Sequence, residues 1–131
     1  MQVPKPKQSV FSIKRLMKSF GHALRGMGYV IRAERNMQIH LFAVVVVVVA
    51  GIWLNITETE WLAILLAMGL VVVSETMNTA IESVVDLVSP EQHPLAGRAK
   101  DVAAGAVVFA TITAVLVGIL VFLPKIGQLV F

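Results

Sequence analysis

Glu75, Asn78, Glu82 and Asp86 interrupt an otherwise apolar run at spacings of i, i+3, i+7 and i+11. On a helix turning 100° per residue, their side chains fall within about 80° of one another, a single narrow stripe. Three carboxylates and an amide on one line offer hard oxygen ligands to a divalent cation and a base to a proton donor. The segment that carries them, Trp61 to Val88, is long and hydrophobic enough to cross a bilayer. Carboxylates facing lipid would be costly, so the stripe must face protein, water or a ligand. Metal or phosphate chemistry is the expectation it raises.

The rest of the chain reads as the frame for that stripe. Hydrophobic residues make up 57% of the sequence, against roughly 45–50% in soluble domains, and the mean hydropathy is +0.83. Three apolar stretches stand out: Ile39 to Ile56, Trp61 to Val88 and Val102 to Leu123. The valine run Val44 to Val49 would favour a strand in water. In lipid every backbone group must be satisfied within its own segment, which makes it a helix. The expected fold is an all-α integral membrane domain over residues 1–131, with three transmembrane helices at 39–56, 61–88 and 102–123. There is no cysteine, which excludes disulfides and thiolate chemistry. The first 38 residues are too polar and basic for a signal peptide, so the N-terminus is expected to be retained.

Charge orients the frame. Of eleven Lys and Arg, eight precede the first span, none lies between spans one and two, two (Arg98 and Lys100) lie between spans two and three, and Lys125 follows the third. The positive-inside rule puts the N-terminus and second loop in the cytoplasm, and the first loop and C-terminus outside. The net charge of +3 is thereby a matter of topology and anionic lipid, with no nucleic acid partner needed. Residues 1–9 should be disordered, and 10–35 should form an amphipathic surface helix on the cytoplasmic leaflet. Arg15, Lys18, His22 and Arg25 share one face of it. Electrostatic anchoring to anionic lipid explains that face; holding nucleotide phosphates is the sharper alternative.

Common phosphate-binding devices are missing: there is no G-x-x-x-x-G-K-[ST] and no protein-kinase motif set. His22, His40 and His93 lack metal-ligand spacing, and the sequon at Asn55 is too short a motif to weigh. Ala106, Ala110, Ala114 and Gly118, spaced by four, read as a packing stripe. Toward the cytoplasmic end, Asp86, Lys100 with Asp101, and Glu34 fall at one depth. Acids from three segments beside several cations suit a divalent metal with a polyphosphate, and a second substrate drawn from the lipid. A small proton-coupled transporter subunit, with Glu75 as proton carrier, is the alternative of another class.

The run Glu75-Thr76-Met77-Asn78-Thr79-Ala80-Ile81-Glu82 with Asp86, followed by Ala99-Lys100-Asp101 and Ala103-Ala104-Gly105-Ala106-Val107, resembles the signature of the small prokaryotic diacylglycerol kinase family. The likeness runs from about Arg15 to Pro124. Glu34-Arg35-Asn36 with Gln38 and His40, and His93-Pro94-Leu95-Ala96, resemble its Gram-positive branch, which mainly phosphorylates undecaprenol; diacylglycerol is the alternative acceptor. The resemblance implies a bacterial cell-membrane lipid kinase that uses ATP and Mg²⁺ and assembles as a homotrimer. It implies Glu75 as general base, Glu34 and Glu82 as metal-binding acids, and Lys100 on phosphate oxygens. Asn78, Asp86 and Asp101 would position nucleotide or metal, and Ala104 would join Glu75 at the acceptor. Arg15, Lys18, His22 and Arg25 align with the nucleotide-binding surface helix, although His22 stands where other members carry an aromatic side chain.

Overall fold

The computed structural model describes residues 12–130, and the expectation for residues 1–9 lies outside them. Four helices follow one another: α1 (Ile13–Ala33), α2 (Arg35–Trp53), α3 (Glu58–Val88) and α4 (Pro94–Val130). The last three are long and apolar enough to cross a membrane. α1 carries Ile13, Leu16, Met17, Phe20, Leu24 and Met27 as exposed apolar side chains. Its basic residues take the opposite side, the pattern of an interfacial helix.

Each join has a local cause. α1 and α2 are separated by one extended residue, Glu34 (φ −101°, ψ 114°), which ends the first helix and opens the second. Gln38 stabilises that corner: its Nε2 donates to the Ile31 and Arg32 carbonyls at 3.2 and 3.4 Å, capping α1 from α2. At the far end of α2, Asn55 takes a left-handed φ of 53°. Asn55 N donates to Ile52 O and Ile56 N to Gly51 O, the paired bonds of a Schellman motif. Thr57 then caps α3, accepting from Glu60 N at 3.3 Å while its own N–H donates to Glu60 Oε2 at 2.7 Å. The Asn55-Ile56-Thr57 sequence therefore serves as the end of one helix and the start of the next. Gly51 is required here, because a Cβ would lie 2.7 Å from the Trp61 indole.

Hydropathy located the apolar segments but not the helix ends. α2 begins at Arg35, ahead of Ile39, because polar Asn36 and Gln38 continue the helix outside the apolar region. α4 begins at Pro94, where a missing N–H costs nothing and His93 Nδ1 accepts from Leu95 N at 3.2 Å. It also runs through Pro124 to Val130. Pro124 costs one backbone bond, and Lys125 just beyond it ties the extension to Glu60 at 3.2 Å.

α3 is the centre of the bundle, packing most extensively on α4 and also on α2. Its buried positions Ile64, Ala67, Val71, Glu75 and Asn78 advance by three or four, so one seam is apolar toward the α2–α3 turn and polar toward the other end. Ile56, Ile64 and Val121 form a cluster near the α2–α3 turn, with Trp61, Val117 and Phe122 against it. On α4 the buried positions are Ala103, Val107, Ala110 and Val121. Of the expected packing stripe, within one chain Ala110 is buried, Ala114 and Gly118 are half-buried and Ala106 points outward, because a strict spacing of four drifts about 40° per step.

Candidate active site

The polar end of the α3 seam places its side chains at graded depth. Glu75 is 1% exposed and Asn78 8%, Glu82 is half-buried, and Asp86 is open to solvent. Two oxygens on this line, Glu75 Oε2 and Asn78 Oδ1, are buried and have no hydrogen-bond partner. Asn78 Nδ2 donates to Glu82 Oε1 at 3.1 Å, so the amide fixes that carboxylate. Thr79 and Ser83 engage the carbonyls of Glu75 and Thr79 at 3.1 and 2.9 Å, so their hydroxyls are not available to Glu75 Oε2 or Asn78 Oδ1.

Other elements converge on this line. Glu34, at the α1–α2 corner, and Glu82 lie close enough to Glu75 to act on its charge, as does His40 of α2, and the Asn36 side chain approaches its carboxyl group. Glu34 and Glu82 of the same chain thus lie within electrostatic range of Glu75. Lys100 of α4 pairs with Asp86 at 2.6 Å and also feels Glu82. Beside that pair, the α3–α4 turn encloses a crevice of about 510 Å³ lined by Asp86, Ser89, His93, Gly97 and Lys100.

Not every expected site residue joins the group. Asp101 and Ala104 lie on the exposed side of α4. Arg15, Lys18, His22 and Arg25 are exposed on α1. Arg25 Nη2 lies 3.0 Å from His22 Nδ1, its Nε donating to Gly21 O. At 1.5 Å per residue, Arg25 is about 13 Å and Arg15 about 28 Å along the helix from Glu34. Asn36 and His40 were noticed in the sequence only as markers of a branch. Their i, i+4 spacing at the polar start of an apolar helix puts them on one face, the signal that they belong to the site.

The donor set suits a hard divalent cation. Among the described residues no three acidic or histidine side chains come together as a complete chelate. Mg²⁺ characteristically takes one or two carboxylates and fills its remaining positions with phosphate oxygens and water. The carboxylates of Glu34 and Glu82 and the unpartnered Asn78 oxygen are donors of that kind.

Three helices apolar enough to span a membrane, one of them carrying a buried carboxylate and a stripe of acids that grows more exposed toward one end, describe a membrane-embedded enzyme, and the chain belongs to the prokaryotic diacylglycerol kinase family, whose pattern matches residues 21–122. Among its relatives is the undecaprenol kinase of Bacillus subtilis (strain 168), 43% identical over 114 residues that span 87% of this chain and 93% of that one. The diacylglycerol kinase of Synechocystis sp. is 43% identical over 115 residues, 87% of this chain and 66% of that longer one. That of Escherichia coli K12 is 34% identical over 102 residues, 78% and 84% of the two chains.

Proposed function

We propose that this protein is a lipid kinase of the bacterial cell membrane that transfers the γ-phosphoryl group of MgATP to undecaprenol, giving undecaprenyl phosphate and ADP. The observation that carries it is Glu75: a carboxylate with 1% exposure and a partnerless oxygen, at membrane depth, beside Glu34 and Glu82. An acid buried there needs a reacting partner, and a membrane alcohol supplies one.

The lipid hydroxyl approaches Glu75, whose carboxylate takes its proton as the oxygen attacks the γ-phosphorus and the bond to the β-phosphate oxygen breaks. Glu34 and Glu82 would hold Mg²⁺, with Asn78 fixing Glu82 through its 3.1 Å hydrogen bond. When bound, Mg²⁺ neutralises charge on the β- and γ-phosphoryl oxygens. Lys100 contacts phosphate, and Asp86 keeps its ammonium at the crevice until the triphosphate arrives. The nucleotide occupies that crevice of about 510 Å³, a volume within the usual range for small-molecule sites. Transfer is direct, with no phosphoenzyme.

The distribution of Lys and Arg supports a cytoplasmic N-terminus and an external C-terminus. The working unit is a homotrimer. Arg15, Lys18, His22 and Arg25 stand on α1 about 13 Å or more along the helix from Glu34, and in an assembly they extend to a neighbouring copy's nucleotide. Exposed Phe42, Val46, Leu66 and Phe109 leave apolar surface for lipid and for such neighbours.

The test is turnover of undecaprenol and of diacylglycerol by the purified protein in vesicles with MgATP. A higher kcat/KM for undecaprenol is expected. Equal or better use of diacylglycerol would make phosphatidic acid the product.

A further inference from the structure

On the outer side of Glu75 the three spanning helices do not close on one another. A cavity of about 220 Å³ lies between α2, α3 and α4, walled chiefly by Ala43, Val44, Val47, Ala67, Ala114 and Gly118. The space is genuine at Gly118, where an added Cβ would meet nothing within 4 Å. Two polar side chains touch it. Thr111 has its hydroxyl engaged with the Val107 carbonyl at 2.9 Å, and His40 stands at the end nearer Glu75. The α2 wall runs from His40 to Val47, about 10 Å along the membrane normal.

We propose that this cavity is a slot for the isoprene units next to the acceptor hydroxyl, and that it sets the preference for a polyprenol. The role stands on the polyprenol acceptor just proposed. Continuity identifies the occupant: Val71 in the wall precedes Glu75 by one turn on the same buried face, and His40 acts on both cavity and carboxylate. Glu75 lies one turn beyond the wall, so an alcohol whose oxygen meets Glu75 and whose chain follows this buried face enters the cavity with its next carbons. Capacity agrees, since an apolar cavity of about 150 Å³ holds the six carbons of benzene, so this one takes about nine, close to two five-carbon units. Diacylglycerol would bring ester carbonyls into a wall that offers them no free donor beyond His40, and a buried acceptor left unpaired is penalised.

Prenols of 5, 10, 15 and 55 carbons, assayed with MgATP and the full chain in vesicles, read the slot directly. We expect kcat/KM to rise about tenfold or more from the first to the second and then level off. Gly118→Leu should remove that gain for the longer prenols and leave MgATP binding unchanged. A second measurement does not depend on tolerance of the larger side chain. In this cysteine-free protein, Ala114→Cys should react with a membrane-permeant maleimide, be protected by undecaprenol, and not be protected by MgATP. Labelling unchanged by undecaprenol, in an enzyme that phosphorylates it, would overturn the slot alone. A cysteine already unreactive without acceptor would show the cavity filled by a second copy of the chain, and would overturn it too. A wild type that phosphorylates diacylglycerol and ignores every prenol would overturn the acceptor and the slot together.

Discussion

Asn78 connects the two halves of the proposed chemistry, because its amide nitrogen holds Glu82 while its oxygen stays buried without a partner. Removing the amide frees Glu82 to rotate, so Asn78→Ala should act mainly on the metal-nucleotide complex. The loss expected of a partner that orients a ligand is about 10–100-fold, seen as a raised KM for MgATP with a smaller change in kcat. Unchanged MgATP kinetics would leave Asn78 as helix packing. The stripe that holds Asn78 was legible in the sequence because one helix imposes one period, and a polar residue every three or four positions in an apolar run is conspicuous. Asn36 and His40 were not legible as site residues. They sit on another helix, and periodicity describes one helix at a time without saying which faces meet.

Ion pairs join α3 and α4 near both ends: Asp86 with Lys100 at 2.6 Å, and Glu60 with Lys125 at 3.2 Å. The Asp86 pair is largely exposed, and such a pair contributes about 0–1 kcal/mol to stability. Lys100 should therefore matter through phosphate. Exchanging the two charges, as Asp86→Lys with Lys100→Asp, keeps the helix link and removes the cation from its place on α4. The double variant should fold with a thermal midpoint close to wild type and have little kinase activity. Restored activity in the exchanged protein would make the pair purely structural. The order of elements was readable from hydropathy and charge, whereas their limits were not. Polar first turns at Arg35 and Pro94, and the passage of α4 through Pro124, depend on caps and a distant ion pair that no local window contains.

At the scale of the whole molecule, Glu34 and Glu82 lie within electrostatic range of Glu75 in the same chain, and Arg15 and Arg25 stand about 28 and 13 Å along α1 from Glu34. Shared sites in the assembly predict complementation. Subunits inactivated by Arg15→Ala with Arg25→Ala, mixed with subunits inactivated by Glu75→Gln, should regain activity in a verified hetero-oligomer. Glu34→Gln mixed with Glu75→Gln should gain none beyond its parents. The central claim is that Glu75 accepts the proton of a membrane alcohol during direct phosphoryl transfer, and Glu75→Gln tests it most directly, since the amide keeps size and loses the base. With MgATP and undecaprenol, wild type should form undecaprenyl phosphate and ADP in equal amounts. The variant should lose about 10²–10⁴-fold in kcat while nucleotide binding survives. Near-normal turnover by Glu75→Gln would contradict the account.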